Sequence, residues 1–176
     1  RFAKEAHGKP FVVHPESAKR PFNVSHTDGL VLCGIGSSDQ ALVGVDVERV
    51  GRRTDPGLAD RFFSSPEIDY LNRLPTGGRR RDAFLRIWTL KESFIKAIGT
   101  GLQTPLSDFA FVDPESDSPK IQMLDAKLES ELSWRFFSVQ PRPGFVAAIA
   151  VAVDSHDAPV SLELRRFDDL IEAESV

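Results

Sequence analysis

Alternating stretches of apolar and polar residues first predict short extended segments. A short strand is expected at 22–24, and two apolar, β-branched runs follow at 30–35 and 42–47. The turn-forming cluster at 36–40 separates these runs, so we expect them to pair as an antiparallel hairpin. Ahead of them, residues 1–6 have the pattern of the end of a helix.

The middle of the chain has helical periodicity. A short helix is expected over 56–63 and a second over 65–74, with Ser65 as its N-cap and proline in its first turn. The longest helical pattern covers 82–98, and Gly99 follows it as a C-terminal cap.

The remainder of the chain is rich in predicted strands. The run at 145–153 is apolar on both faces, which is typical of a central, buried strand. A short helix is expected at 167–173. Together these elements predict an α+β fold with mainly antiparallel sheet. The other strands expected in this region are 106–112, 120–124 and 132–139.

Composition narrows the class of protein without naming a function. The 176 residues suffice for one domain or two small subdomains, with 41% hydrophobic and 27% charged residues. A net charge of -4 argues against nucleic acid as a partner. Cys33 is the only cysteine, which excludes an intrachain disulfide and fits a reducing compartment. No apolar run is long enough for a membrane helix. We therefore expect a cytoplasmic protein.

Two carboxylates share one face of the predicted strand at 42–47 and its continuation. Alternate strand residues point the same way, so Asp46 and Glu48 lie together, with Gly44 beside them. Such a pair suits a hard divalent cation such as magnesium. The alternative is a solvated acidic face on which Glu48 pairs with Arg49 or Arg52.

The long helix places charges where apolar residues are expected. Lys91 lies within a core stripe, so its ammonium must reach solvent or meet an anion. Glu92 is one turn from both Trp88 and Lys96, so these three share a face. The alternative is an ordinary Glu-Lys pair on a helix surface. The core stripe consists of Phe84, Ile87, Trp88, Ile95 and Ile98.

Ser25 and His26 follow a strand-like segment and precede a turn. Adjacent residues of an extended strand point apart, so the two do not form a nucleophile–base pair by themselves. His26 could donate a hydrogen bond to a phosphate oxygen, or it could be a surface histidine without a special role.

Four segments, taken in order, resemble the motifs of the 4'-phosphopantetheinyl transferases of the surfactin-synthetase-activating (Sfp) type. They are Gly-Lys-Pro at 8–10, Phe-Asn-Val-Ser-His at 22–26, Gly-Val-Asp-Val-Glu at 44–48 and Trp-Thr-Leu-Lys-Glu-Ser at 88–93. The shorter holo-acyl-carrier-protein synthase (AcpS) type is less similar, because its Ser-His element follows the lysine–glutamate helix.

The resemblance implies an enzyme, a holo-(acyl-carrier-protein) synthase or 4'-phosphopantetheinyl transferase. It would transfer the phosphopantetheine arm of coenzyme A to a serine of an apo carrier protein and release 3',5'-ADP. Asp46, Glu48 and Glu92 would bind Mg²⁺. The catalytic residues would be Asp46, Glu92 and Lys96, with Lys96 assisting the departing ADP. The base that deprotonates the carrier serine is left open between Glu92, Glu67 and a metal-bound water.

The same resemblance implies the residues that bind coenzyme A. Lys9 and His26 would contact its phosphates, with Ser25 nearby. Lys91 and Lys96 would neutralise phosphate charge.

The family fold has two pseudo-symmetric halves, each with antiparallel sheet and a long helix. Residues 1–21 would end the first half and form the linker, and residues 22–176 would be the second half with the magnesium site. The first half would be largely missing, so we expect a segment upstream of Arg1. A monomer is expected, and the carrier could serve fatty acid, polyketide or nonribosomal peptide synthesis.

Two other classes of function are weighed against the transferase. A metal-dependent nuclease fits poorly, because Glu48 stands where its common motif needs a lysine and the net charge is negative. The alternative that stays open is a non-catalytic module of this fold that binds a carrier protein or coenzyme A.

Overall fold

The computed structural model confirms an α+β fold with antiparallel sheets. It describes residues 1–5, 7–39, 41–51, 57–154 and 159–167. The strands are β1 (Phe2–Lys4), β2 (Pro10–Val12), β3 (Phe22–Thr27), β4 (Leu30–Ile35), β5 (Leu42–Arg49), β6 (Phe109–Val112), β7 (Lys120–Met123), β8 (Ser133–Val139) and β9 (Phe145–Val153); the helices are α1 (Gly57–Phe62), α2 (Ser65–Arg73) and α3 (Gly78–Ile98).

A three-stranded sheet and the helix α3 form the centre of the fold. The strand order is β5-β9-β8, so β9 is central as its sequence predicts. Ala148 and Ala150 of β9 have no measurable exposure, since α3 packs across both β9 and β5.

The contact between α3 and β5 depends on a glycine. A β-carbon at Gly44 would lie 2.0 Å from the carbonyl oxygen of Ser93 and 2.4 Å from the amide nitrogen of Ala97. Both atoms belong to the helix backbone, which cannot rotate away as a side chain could. Gly44 therefore lets α3 approach β5 more closely than any other residue would allow. Because strand residues alternate, Asp46 and Glu48 face α3 as Gly44 does.

The predicted hairpin between the runs at 30–35 and 42–47 is wrong. The strand β4 pairs instead with β3, in the register Thr27↔Leu30, and β5 pairs with β9. Asp28-Gly29 forms the two-residue turn between β3 and β4, and Gly29 has a φ of +87°. Aspartate followed by glycine is a strong signal for a tight hairpin turn. Here that turn joins β3 and β4, in place of the predicted pairing of β4 with β5.

The helix end predicted at residues 1–6 is also wrong. Residues Phe2–Lys4 form β1, which pairs antiparallel with β2 in the register Phe2↔Val12. So short a segment cannot sustain a helix by itself, whereas the partner strand satisfies its backbone groups. The turn expected at Gly8 is present, with a φ of +87°.

Other boundaries shift by a few residues. The helix α3 begins at Gly78, four residues before the predicted start, and ends at Ile98 as predicted, with Gly99 as its C-terminal cap at a φ of +74°. The N-cap of α2 is Ser64 instead of Ser65. The strand β6 starts at Phe109, because the three residues before it form a 3-10 turn. The helix predicted at 167–173 lies beyond the described residues apart from Phe167.

Two aromatic clusters hold α3 along its length. The first half of the helix packs Phe84 and Trp88 against Phe63 at the end of α1. The second half packs Phe94 against Phe109 and Trp134 of the sheets. The helix is thus fixed at both ends. Among the described residues, no helix is both long enough and apolar enough to span a membrane.

We predict that Gly44→Ala destabilises the fold by about 1–3 kcal/mol, because the added methyl group overpacks the backbone contact with α3. The matched control is Gly78→Ala in the first turn of α3, where a β-carbon would meet nothing within 4 Å. That change should be neutral or stabilising by up to about 1 kcal/mol. Denaturant unfolding measures both; equal effects of the two substitutions would contradict the close contact.

Candidate active site

An ion pair joins α3 to β5 at the centre of the candidate site. The ammonium of Lys96 donates to Oδ1 of Asp46 at 2.6 Å and to Oγ of Ser25 at 3.1 Å. The hydroxyl of Ser25 donates to the same Oδ1 at 2.8 Å. Three elements therefore meet here, because Ser25 belongs to β3, Asp46 to β5 and Lys96 to α3.

A buried amide holds β3 in place for this contact. The side-chain oxygen of Asn23 accepts a hydrogen bond of 3.0 Å from the amide of Val45, next to Asp46. Asn23 and Ser25 are both buried and lie on the same face of β3. Sequence reasoning did not assign this role to Asn23, because no local pattern shows which backbone group a distant side chain will meet.

Glu48 and Glu92 surround this ion pair with further negative charge. Asp46 and Glu48 are both buried, at 5% and 8% exposure. Burial raises the pKa of Asp46, against the opposing effect of Lys96. Burial also raises the pKa of Glu92, and the charges of Asp46 and Glu48 raise it further. The three carboxylates are therefore electrostatically coupled, with more negative charge than Lys96 alone balances.

These residues fit a divalent cation in their chemistry. Carboxylate oxygens are the ligands that magnesium prefers. Oδ2 of Asp46 is buried and has no hydrogen-bond partner. In this conformation, however, no three His, Cys, Asp or Glu side chains of the described residues converge closely enough to hold a metal ion. The cation against Asp46 is Lys96, so the carboxylates would have to move together around a metal ion.

Lys91 lies apart from this cluster, and the geometry does not support its predicted contact with phosphate. Its side chain has no exposure, and its ammonium donates at 2.6 Å to the carbonyl oxygens of Leu106 and Phe109. A salt bridge of 2.7 Å to Glu67 engages the third hydrogen. Burial lowers the pKa of Lys91 to about 8, against the opposing effect of Glu67. The anion that this lysine requires is therefore the carboxylate of Glu67.

Both carboxylate oxygens of Glu67 are likewise engaged in contacts within the fold. Its Oε2 accepts from both the hydroxyl and the amide of Ser64. The bond from the Ser64 amide is one half of the capping box of α2, and the other half is the bond from the Glu67 amide to the Ser64 side chain. Its Oε1 accepts from the amide of Phe111 at 2.9 Å. These bonds argue against Glu67 as the general base. The spacing Ser-x-x-Glu at 64–67 is the known sequence signature of this cap and could have identified Ser64.

Lys9 and His26 lie at the edges of the region. The ammonium of Lys9 donates at 2.7 Å to the carbonyl oxygen of Ala97, in the last turn of α3, and burial lowers its pKa. His26 is exposed and points away from Ser25, as adjacent strand residues do. The structure gives neither residue a contact with the carboxylates, and their binding of coenzyme A stays a prediction.

Comparison with known families finds one that this chain matches. The family model described as the 4'-phosphopantetheinyl transferase superfamily matches residues 42–152. The chain belongs to this superfamily. The match begins at the first residue of β5 and ends within β9, so it includes Asp46, Glu48, Glu92 and Lys96.

Individual relatives support the assignment. The 4'-phosphopantetheinyl transferase gsp of Aneurinibacillus migulanus is 37% identical over 61% of this chain and 42% of its own length. The transferase Sfp of Bacillus subtilis is 29% identical over 97% of this chain and 70% of its own. The crystal structure of Thermotoga maritima holo-(acyl-carrier-protein) synthase aligns with a TM-score of 0.52 and 26% identity, over 64% of each chain. The chain spans about half the length of some curated relatives, with 42% of gsp and 46% of the transferase ffp of Bacillus subtilis covered.

We predict that Lys91→Met destabilises this transferase-family chain by about 3–5 kcal/mol, because it leaves the Glu67 carboxylate buried and unpaired. Adding Glu67→Gln should recover part of that loss, since the double variant buries no charge, while the amide nitrogen loses one of the bonds accepted from Ser64 and Phe111. Denaturant unfolding of the two single variants and the double variant measures the coupling. Additive losses would show that the two side chains do not interact as the structure has them.

Proposed function

We propose that this chain transfers the 4'-phosphopantetheine arm of coenzyme A to a serine of an apo carrier protein and releases 3',5'-ADP. The contact of Lys96 and Ser25 with Asp46 carries the proposal. It places a cationic donor beside a group of coupled carboxylates, within the region that matches the transferase superfamily. A reaction at a pyrophosphate needs both, because its oxygens repel an attacking nucleophile until their charge is offset.

The carboxylates Asp46, Glu48 and Glu92 would hold a magnesium ion. When bound, the ion would offset the negative charge of the pyrophosphate and favour departure of ADP. The buried Oδ2 of Asp46 supports this role, because it has no hydrogen-bond partner in the described structure.

Lys96 would stabilise the leaving group. Its side chain is 29% exposed, so the ammonium can reach a ligand while the stem stays packed on α3. Donation from Lys96 to an oxygen of the departing ADP would offset the charge that develops as the phosphorus–oxygen bond breaks. Ser25 would hold Asp46 through its hydroxyl during this step.

Glu92 is our candidate for the general base. Its carboxylate belongs to the same electrostatic group as Asp46, so it would lie near the pyrophosphate when the carrier serine attacks. The serine oxygen would bond to the phosphorus of the phosphopantetheine arm while the bond to the ADP oxygen breaks. Glu67 is disfavoured because Ser64, Lys91 and Phe111 already use its oxygens.

The remaining assignments extend this proposal. Residues 22–176 would form the half that carries the site, and residues 1–21 the end of the preceding half and the linker. Lys9 and His26 would bind phosphates of coenzyme A, which requires Lys9 to leave the carbonyl of Ala97.

A transfer assay tests the proposal. The chain is incubated with coenzyme A, Mg²⁺ and separate apo carrier proteins of the fatty acid, polyketide and peptide types, and each carrier is then weighed by mass spectrometry. We expect at least one carrier to gain the mass of phosphopantetheine. If every carrier stays unmodified while the chain binds carrier or coenzyme A, the non-catalytic module is the correct function.

Asp46→Asn should lower the transfer rate at least about 100-fold, because the amide cannot supply the charge that the cation and Lys96 require. The variant keeps the size of the side chain, so far-UV circular dichroism should match that of the unmodified chain. Asp69→Asn on the exposed side of α2 is the control and should keep full activity. Equal rates in both variants would remove Asp46 from the catalytic site.

A further inference from the structure

Lys96 forms an ion pair with Asp46, and Asp46 is also one of the carboxylates that the proposed function assigns to the magnesium ion. We propose that the Lys96 ammonium is a built-in counter-cation, which neutralises Asp46 until Mg²⁺ binds and is then displaced toward the phosphate ligand. This inference rests on the proposed function for the identity of the two ligands. The new element is that the lysine and the metal ion compete for one carboxylate, that of Asp46.

The charges around the site favour such a competitor. Asp46, Glu48 and Glu92 are close enough to influence one another, and two of them are buried. Carboxylates crowded together in a protein interior repel one another unless a cation lies among them. The 2.6 Å contact between Lys96 and Oδ1 of Asp46 provides that cation from the chain itself.

The geometry makes the lysine and a metal ion competitors for the charge of Asp46. Lys96 and Ser25 both bond to Oδ1, which leaves only Oδ2 of this carboxylate open. A divalent ion bound to Asp46 would stand within a few ångströms of the ammonium, and like charges at that distance repel strongly in a partly buried site. Binding of the metal ion therefore drives Lys96 away from Asp46.

Lys96 is free to make this movement, whereas Lys91 on the same helix is not. The Lys96 side chain keeps 29% exposure and has a flexible four-carbon stem. The Lys91 side chain has no exposure, and its ammonium is held by Glu67 and two carbonyl oxygens. The helix α3 thus carries one buried lysine that holds the fold and one partly exposed lysine that faces the site.

The competition predicts an order of events. Lys96 becomes available to phosphate only after a metal ion has replaced it at Asp46. By linkage, Mg²⁺ should strengthen the binding of a pyrophosphate ligand, and that ligand should strengthen the binding of Mg²⁺ by the same factor. A site without metal would hold its own lysine and bind the phosphate ligand weakly.

Calorimetric titration with Mg²⁺ tests the competition without any assay of transfer. Lys96→Met should bind Mg²⁺ about tenfold more tightly than the unmodified chain, because the competing cation is gone. Lys96→Arg keeps the cation and should stay within about twofold of the unmodified chain. Lys120→Met removes an exposed positive charge on β7 and controls for the general change in net charge. An unchanged or weaker affinity in Lys96→Met would overturn the inference.

The melting temperature, measured in the presence of a chelator and again with added Mg²⁺, is a second measurement on the same variants. Lys96→Met should melt at a lower temperature than the unmodified chain without metal and should gain more from added Mg²⁺. Should Lys96→Met fail to fold, Lys96→Gln replaces it, with the same expected direction and the same overturning result. Equal stabilisation of the Lys96 variant and the Lys120 control by Mg²⁺ would contradict displacement.

The outcomes separate this inference from the proposed function. Asp46→Asn should lose the binding of Mg²⁺, which ties the titrated ion to this carboxylate. Mg²⁺ binding that responds to Lys96 as expected, together with carriers that stay unmodified, would retain the competition and refute the transfer activity. Transfer by a chain whose Mg²⁺ affinity does not respond to Lys96 would do the reverse.

Discussion

The close seating of α3 on β5 at Gly44 determines which side chains can meet in this protein. Backbone lies against backbone at that point, and no side chain intervenes. As a result, Asp46 on the strand and Lys96 on the helix face each other at 2.6 Å. A β-carbon at residue 44 would push the two elements apart, and with them Asp46 and Lys96. The candidate site is therefore a consequence of one packing contact.

The two lysines of α3 show how burial decides the use of a charge. Lys91 lies five residues before Lys96, on a different face of the helix, and is bonded to Glu67 beneath the aromatic residues Phe63 and Phe109. Replacing either partner of such a pair strands a charge in the interior, so the pair fixes α2 and α3 together. The Lys96 side chain reaches solvent, so its ammonium can contact a bound ligand. One lysine orients the helix that carries the other.

The sequence predicts where helices and strands lie better than it predicts which of them pair or pack together. The helix cap at Gly99 and the central position of β9 follow from local residues and periodicity, and both are confirmed. The placement of Asp46 and Glu48 on one strand face follows in the same way. The pairing of β5 with β9 and the bond between Lys91 and Glu67 depend on residues far apart in the chain. Periodicity indicated that Lys91 must reach solvent or meet an anion, but it could not show that the anion is Glu67 and not a phosphate.

The central claim is that α3 and β5 bring Asp46 and Glu92 into one electrostatic group. Carbon-detected NMR titration of the Glu92 carboxyl tests it most directly, in the unmodified chain and in Asp46→Asn. The pKa of Glu92 should lie above that of an ordinary glutamate and should fall when the charge of Asp46 is removed, while burial keeps it partly raised. An ordinary pKa that does not respond to Asp46 would contradict the account.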